Sequence, residues 1–283
     1  MKEVLVRKNT ALACETASVS VVIPCYRCVK TIRRAVDSAF TQTVRSEELI
    51  LVDDASGDDT LRTLLTLRRE FGEDWIKVIS LPVNVGPGTA RNAGWDAAHG
   101  DYVAFLDADD SWHSRKIEVQ YRWMREHPDV GVSGHLFGSA TERLPEGEGM
   151  NEVHARKITS VMLLLSNRLT PSSAMLRRQL GVRFQPGKRH MEDHLLWLEI
   201  ALSGIDIFRL EHALCHQYKA AFGDGGLSAQ MWKMECGELE NYRLLAARGL
   251  ISRPVALALY ALSLLKYCRR LVLKSIWTTR RPN

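Results

Sequence analysis

Short apolar runs alternate with segments of helical spacing along the first 112 residues. Four runs have the composition of buried strands: 19–24, 48–52, 77–81 and 103–106. The segments between them place apolar residues at helical intervals: 29–40, 60–71 and the stretch that follows Asn84 and ends near Gly100. This alternation predicts an α/β fold, with a mainly parallel sheet that carries helices on both faces.

The second half of the chain is less regular. Residues 129–137 have a strand-like pattern, and residues 142–152 form a polar, glycine-rich loop segment. An apolar helical run at 158–165 precedes strand-like residues at 169–176. A further helix follows Asp193, and Gly204 is placed to end it.

Polar clusters follow each predicted strand, where ligands of parallel α/β sheets bind. They occupy positions 24–26, 53–54, 84–91 and 107–109. Asp107 and Asp109 are two residues apart, so an extended backbone would direct both carboxylates to one side. Like charges this close repel, which indicates a divalent cation with positions left open for phosphate oxygens. The alternative is a polar strand end that caps the next helix.

An aromatic ring and an arginine join these carboxylates at the same predicted edge. Tyr26 would pack on a base, and Arg91 would neutralise negative charge. Each cluster alone is typical of a turn, whereas four together indicate a site for a metal-bound nucleoside diphosphate.

Four segments between Val19 and Trp112 resemble, in order and spacing, the motifs of family 2 glycosyltransferases: V-S-V-V-I-P-C-Y, L-V-D-D-A-S-G-D-D-T, N-V-G-P-G-T-A-R-N-A-G and F-L-D-A-D-D-S-W. These are inverting enzymes of the GT-A fold. The resemblance implies a GT-A type nucleotide-diphospho-sugar transferase fold, whose mostly parallel central sheet is flanked by helices. A C-terminal helical extension would follow it.

The resemblance also implies roles for individual residues. The Asp-x-Asp motif, Asp107-Ala108-Asp109, would hold Mn²⁺ or Mg²⁺ on the donor, with Asp107 and Asp109 as the metal residues and Asp109 favoured as the direct ligand. Base binding would fall to Pro24, Tyr26 and Asp54, and Arg91 would lie near the donor. A UDP-sugar is the donor expected from the habit of the family.

The segment R-H-M-E-D-H at 189–194 resembles the family's Glu-Asp motif, whose aspartate is the general base. Inverting transfer is a single displacement in which a base takes the proton of the acceptor hydroxyl. Asp193 is therefore the predicted base, with Glu192 beside it. The alternative is that both acids only favour a helix N-terminus electrostatically. His190 and His194 are expected to be exposed histidines at the start of the helix rather than metal ligands.

The chain departs from the family at 218–228, where many relatives carry a histidine and this chain has none. A third protein ligand to the metal is thus in doubt, with Asp224 and His216 as substitutes. The glycine-rich run at this place is expected to be a mobile loop. The Gln-x-x-Arg-Trp motif of processive synthases is absent from the sequence, and no transmembrane segment is expected, so chain extrusion is not predicted.

Positive charge is concentrated in the tail. The chain carries +5 overall, but residues after Glu240 carry +9 and no acid, so the first 240 residues carry −4. Nucleic-acid binding by the main body is therefore not predicted. A helix at 254–277 would have an apolar face of Leu257, Leu264, Cys268, Leu271 and Val272 and a basic face of Lys266, Arg269, Arg270 and Lys274. Contact with an anionic membrane surface and packing on the catalytic domain are both open.

Other classes explain less of the sequence. A haloacid-dehalogenase-like phosphotransferase also places Asp-x-Asp after a buried strand, but normally after the first one. A dinucleotide-binding oxidoreductase is also disfavoured, because Gly86-Pro87-Gly88 is followed by Arg91 where the third glycine of its motif should be. The pair Cys25-x-x-Cys28 would suit a redox protein but leaves the other motifs unexplained, and the scattered cysteines suggest free thiols in a reducing cytoplasm. An inactive nucleotide-sugar-binding protein of the same fold is the non-enzymatic alternative.

Together these observations predict a metal-dependent inverting glycosyltransferase that acts on a lipid-linked or growing surface glycan. The predicted division is an N-terminal segment at 1–18, a catalytic domain at 19–228 and a basic helical extension at 229–283. Within the catalytic domain, 19–112 would bind the donor and 113–228 the acceptor. The expected location is the cytoplasm, with the inner face of the plasma membrane as an alternative, and the oligomeric state is left open.

Overall fold

The computed structural model describes residues 16–139, 153–218 and 230–279. Its strands are β1 Thr16–Cys25, β2 Arg45–Asp53, β3 Ile76–Ser80, β4 Tyr102–Phe105, β5 Ser111–Trp112, β6 Val130–Ser139, β7 Ala155–Lys157, β8 Met175–Arg177 and β9 Asp206–Gln217. Its helices are α1 Ile32–Phe40, α2 Thr60–Phe71, α3 Pro87–Asp96, α4 Lys116–Glu126, α5 Ser160–Leu165, α6 Glu192–Leu202, α7 Met231–Ala247 and α8 Arg253–Thr279, with a 3₁₀ turn at Pro171–Ser173.

The strands form one sheet in the order β3-β2-β1-β4-β8-β6-β9-β5, with β7 paired to β9. The pairs among β3, β2, β1 and β4 are parallel. Beyond β4 the sheet is mixed, because β8 runs antiparallel to both β4 and β6. This architecture confirms the predicted α/β class and the parallel arrangement of the first half.

The central strands are apolar on both faces because helices cover both faces. In β1, Val21 and Ile23 belong to one core cluster, while Val22 belongs to the cluster on the other side. Helix α3 packs so closely on the second face that a Cβ on Gly94 would lie 2.3 Å from Cγ1 of Val22. This close approach holds α3, and Arg91 within it, against the ends of the strands.

Several boundaries differ from the predictions. β1 begins at Thr16, three residues before the expected strand, so the first residues of the described chain already join the sheet. The segment predicted as a strand at 169–176 is divided into the 3₁₀ turn and the short β8. Pro171 opens that turn and lacks the N–H that a ladder requires. The predicted loop at 142–152 lies outside the described residues.

Helix α8 packs through a different face from the one that its apolar pattern indicates. Ala256, Leu259 and Ser263 are buried. The five residues of the predicted apolar face are all exposed, Leu257 by 67%. None of the helices within the described ranges is long and apolar enough to cross a membrane. The helix is therefore packed on the protein while its leucine-rich face points outward.

Lys116, at the start of α4, is fully buried, and its Nζ lies 3.8 Å from the centre of the Trp112 ring. No hydrogen-bond acceptor within the described residues reaches this nitrogen. Burial lowers the pKa of Lys116 to about 7. His135 is buried as well, and its own burial together with the charge of Lys116 lowers its pKa to about 3. Below pH 7 the fold therefore carries the cost of a buried ammonium group.

We expect Lys116→Met to stabilise the protein by on the order of 3 kcal/mol below pH 7. Between pH 7 and about 10.4 the unfolded wild type binds a proton that the folded state has lost, so wild-type stability rises and the gain shrinks. Chemical denaturation at pH 6 and pH 9 measures the difference. The exposed Lys77 supplies a control, since Lys77→Met should give a pH-independent change. Equal gains at both pH values for Lys116→Met would contradict the buried-ammonium account.

Candidate active site

A cleft of about 1160 Å³ opens at the carboxyl ends of β1, β2 and β4 and extends to the start of α6. All eight residues proposed from the sequence line it: Pro24, Tyr26, Asp54, Arg91, Asp107, Ala108, Asp109 and Asp193. The fold thus brings together side chains that are up to 169 positions apart in the chain.

The turn after β1 presents Tyr26 at the mouth of the cleft with 47% of its surface exposed. Arg27 has a left-handed backbone, with φ 49°, and its N–H donates to Oγ of Ser56 at 3.1 Å. Cys25 and Cys28 are buried free thiols, and burial raises the pKa of Cys25 well above its ordinary value. A redox pair needs the opposite environment, so this position does not support the redox alternative.

Asp54 is buried, and its carboxylate holds the loop between β3 and α3. It accepts hydrogen bonds from the backbone N–H groups of Val85 at 2.7 Å and Gly86 at 2.9 Å. Nδ2 of Asn84 donates to the same carboxylate at 2.9 Å. Gly86 has φ 88°, a conformation that favours glycine. Asp54 therefore shapes the wall of the cleft, and a carboxylate retains acceptor capacity beyond these three bonds.

The Asp-Ala-Asp segment is a turn rather than a continuation of the strand. β4 ends at Phe105, and the N–H of Asp110 donates to the carbonyl of Asp107 at 3.1 Å. The expected extended geometry is wrong here, yet Asp107 and Asp109 both line the cleft, partly exposed. Ser172 secures the turn, since its Oγ accepts from the N–H of Asp107 at 3.1 Å and donates to Asp110 at 2.6 Å.

Arg91 is buried and links the two sides of the cleft. Its Nη2 donates to Oδ1 of Asp107 at 2.6 Å, and its Nη1 donates to Oε1 of Glu192 at 3.1 Å. Although burial opposes the charge, the Asp107 and Glu192 carboxylates raise the pKa of Arg91. The guanidinium thus stays charged and joins the end of β4 to the start of α6.

The carboxylate ligands in the cleft suit a hard cation that is also coordinated by phosphate oxygens of a substrate. Proteins hold Mg²⁺ through one or two carboxylates together with substrate phosphates and water, and Asp107 and Asp109 supply two such carboxylates. No group of three acidic, histidine or cysteine side chains at metal-binding spacing occurs in the parts of the chain that the structure describes. The sequence suggests two residues as a third metal ligand. His216 lies in β9, where it pairs with Ser111 of β5, and Asp224 lies outside the described residues.

The end of the cleft that the sequence predicts to face the acceptor is the first turn of α6. Asp193 is partly exposed, and its Oδ2 accepts from Nδ2 of Asn167 at 2.9 Å. Burial and the charge of Asp193 raise the pKa of Glu192 to about 7, against the opposing effect of Arg91. Sequence reasoning missed Asn167, because no local pattern connects a loop asparagine with an aspartate 26 positions away.

The prediction that His194 is exposed is wrong. It is fully buried, and its Nε2 lies 2.8 Å from the carbonyl oxygen of Leu163 in α5. The reason is that α6 is surrounded by other elements, so nearly all its residues are buried. His190 is half-buried rather than exposed.

Helix α7 supports the turn that carries Glu192 and Asp193. Met191 has a left-handed backbone with φ 56°, and its carbonyl accepts from Nδ2 of the buried Asn241 at 3.0 Å. A Cβ on Gly237 would lie 2.7 Å from the carbonyl oxygen of His190. The strained turn and the helix therefore fit only with glycine at 237.

Comparison with known proteins identifies similar chains. Residues 20–184 match the family model described as glycosyl transferase family 2. The chain is 31% identical over 183 residues to the Escherichia coli protein named UDP-Glc:alpha-D-GlcNAc-diphosphoundecaprenol beta-1,3-glucosyltransferase WfgD. That match covers 64% of this chain and 69% of the relative.

Two solved structures share the fold. TarS residues 1–349 of S. aureus, in complex with UDP-GlcNAc, has a TM-score of 0.66 and 23% identity, covering 87% of this chain and 71% of that one. The mannosyltransferase PcManGT of Pyrobaculum calidifontis, in complex with GDP-Man and Mn²⁺, has a TM-score of 0.61 and 17% identity. It covers 98% of this chain and 85% of its own.

Proposed function

Because the chain belongs to glycosyl transferase family 2 and is a glycosyltransferase of the GT-A fold, we propose that it moves a sugar from a nucleotide-diphospho-sugar to a hydroxyl of a lipid-linked glycan, with inversion at the anomeric carbon. The observation that carries this proposal is one cleft that contains the Asp107 and Asp109 carboxylates and the Asp193 carboxylate. Arg91 connects the two groups.

Residues 19–112 supply the donor side of the proposed site. Pro24 and Tyr26 bind the base, with Asp54 beside them as the residue that fixes the loop. Asp107 and Asp109 hold Mn²⁺ or Mg²⁺, which offsets the charge of the departing diphosphate when bound. The named complexes of similar folds contain UDP-GlcNAc or GDP-Man with Mn²⁺. The UDP-Glc in the name of the E. coli relative favours a UDP-sugar here.

Residues 113–228 supply the acceptor side, with Asp193 as the general base. An in-line displacement requires a base on the face opposite the leaving diphosphate, and Asp193 lies in the same cleft as the aspartate pair. Asn167 holds the carboxylate of Asp193 in place. Glu192 is bound to the buried Arg91, so it positions the turn rather than taking the proton.

The acceptor class follows from the relative and suits the tail of the molecule. The name of the E. coli relative specifies a sugar on a diphosphoundecaprenol lipid. The exposed face of α8 (Leu257, Leu264, Cys268, Leu271 and Val272) has the exposed Arg269 near it, and peripheral helices on anionic membranes combine an apolar face with cations. Arg270 is ion-paired with the buried Glu235. We therefore place the working enzyme at a membrane surface, as a peripheral protein of polysaccharide assembly.

The phosphotransferase alternative has no support in the site. That chemistry uses the leading aspartate as a nucleophile. Here one oxygen of Asp107 is bonded to Arg91, and the motif follows the fourth strand of the chain.

The direct test is transfer from UDP-glucose with Mn²⁺ to an α-GlcNAc-diphospho-alkyl acceptor. We expect a β-linked disaccharide product, identified by the anomeric proton coupling in NMR, because a single displacement inverts the α-linked donor. UDP-galactose and UDP-GlcNAc serve as parallel donors. An α-linked product would contradict inversion, and no transfer with any UDP-, GDP- or dTDP-sugar would contradict the proposed function.

A further inference from the structure

A second cleft, of about 850 Å³, lies between the turn before α6 and the helix α7. We call it the basic cleft, because five side chains in its wall are cationic or become so on protonation: Lys188, Arg189, His190, Lys233 and Arg243. Glu240 is the one carboxylate among the described residues that line it. The proposed transfer mechanism does not use this space.

The single carboxylate is already occupied. Nζ of Lys188 donates to Oε2 of Glu240 at 2.8 Å and to the carbonyl of Gly237 at 3.1 Å. Arg243 lies 3.6 Å from the other oxygen of Glu240. Lys233 and Arg189 form no ion pair with a carboxylate in the described part of the chain. The wall of the basic cleft therefore has more positive than negative charge.

His190 responds to this excess of charge. Burial and then the charge of Lys233 lower the pKa of His190, against the opposing effect of a hydrogen bond with Gln230, and Lys188 and Arg189 contribute less. Its Nε2 is shielded from solvent and has no hydrogen-bond partner among the described residues. The basic cleft therefore contains, besides its cations, a buried imidazole nitrogen that no described residue satisfies.

The basic cleft adjoins the proposed active site. Arg189 and His190 line both clefts, and Nη2 of Arg189 donates to the carbonyl of Asn84 at 3.0 Å. Trp232, which precedes Lys233 in α7, is 55% exposed and contacts Tyr267 of α8 at a ring separation of 5.5 Å. An anion held in the basic cleft would thus lie between the Asp193 turn and α7.

We propose that the basic cleft binds the diphosphate of a lipid-diphosphate-linked acceptor and so holds the first sugar of that acceptor beside Asp193. This inference rests on the proposed function. The proposed function assigns the donor's diphosphate to Asp107 and Asp109, two carboxylates that would need a cation between themselves and the phosphates. Arg189 and Lys233 are the groups available for charge-assisted hydrogen bonds to the acceptor.

The first test is calorimetric binding of inorganic pyrophosphate to the full chain in EDTA, since without metal the aspartate pair repels an anion. We expect binding to weaken at least tenfold in the double variant Arg189→Gln/Lys233→Gln. Lys233→Gln alone should also weaken pyrophosphate binding, by less than the double variant does. This exposed side chain is not needed for folding. The control Arg253→Gln removes an exposed cation outside the basic cleft and should bind as the wild type does. Equal binding by the double variant and the wild type would overturn the inference.

The second test separates the two possible sources of diphosphate. With the α-GlcNAc-diphospho-alkyl acceptor, Lys233→Gln should raise the acceptor KM at least tenfold and the UDP-sugar KM by less than twofold. A neutral alkyl α-GlcNAc acceptor should lose this dependence on Lys233. A rise confined to the donor KM would assign the cleft to the donor and overturn the inference.

Failure of the proposed function gives a different result. If Mn²⁺-dependent UDP binding is absent from the wild type, the donor site is wrong and the acceptor assignment is overturned with it. If UDP binding is normal and the variants bind pyrophosphate as tightly as the wild type does, only the assignment of the basic cleft is wrong.

Discussion

Asp193→Asn is expected to lower kcat for sugar transfer about 1000-fold, within the range that general-base catalysis supplies. Asparagine keeps the size of the side chain and an oxygen that can accept from Asn167, so the turn before α6 should be preserved. It cannot take the acceptor proton, however. Binding of the nucleotide and its metal should stay within twofold of wild type, because Asp193 is not among the residues proposed to bind the base or the metal.

Steady-state kinetics and UDP calorimetry on the same preparation measure both quantities. Asp101→Asn is the matched control, since Asp101 is an exposed carboxylate outside the cleft. A wild-type protein that binds UDP but transfers no sugar would favour the inactive-binding alternative. Full activity in Asp193→Asn would refute the assignment of the base and point to another proton acceptor.

Asp109→Ala is expected to weaken UDP binding in Mn²⁺ roughly 100-fold, down to the affinity measured in EDTA. The loss should be specific to the metal-dependent part of binding, because the side chain is removed while the main chain is kept. The carbonyl of Asp109 accepts from Arg34, so this contact of the turn survives the substitution. Calorimetric titration with UDP, GDP and dTDP, with and without Mn²⁺, also identifies the preferred base.

Glu126→Ala removes an exposed carboxylate at the end of α4 and should leave these titrations unchanged. If Asp109→Ala binds UDP in Mn²⁺ as tightly as wild type, the Asp-x-Asp motif does not hold the cation, and the proposed donor site must be revised.

The first half of the fold could be predicted because its signals are local. Buried parallel strands such as β4 need continuous apolar runs, and Val103 to Leu106 are fully buried as their sequence indicates. The predicted site residues also converge, since parallel strands place their ends at one edge. Their chemical roles stay predictions.

Contacts between distant segments were not predictable. The bond from Asn167 to Asp193 and the place of Ser172 under the Asp-x-Asp turn depend on how the second half packs. His194 follows a charged turn and looked exposed, but α5 covers it. The apolar pattern of the tail indicated the wrong packing face for a related reason, because α8 packs through Ala256, Leu259 and Ser263 and leaves the leucines of the predicted apolar face exposed.

The bridge made by Arg91 sets a rule for recombining this enzyme with its relatives. A chimera that keeps residues 19–112 and takes its acceptor half from another protein must bring a carboxylate to the position of Glu192. Without it, Arg91, which is 4% exposed, would keep its ion pair with Asp107 but leave Nη1 without an acceptor, and a buried donor without a partner costs about 1–3 kcal/mol. We therefore expect the proposed acceptor half to be exchangeable between homologues only when both residues of this pair are kept.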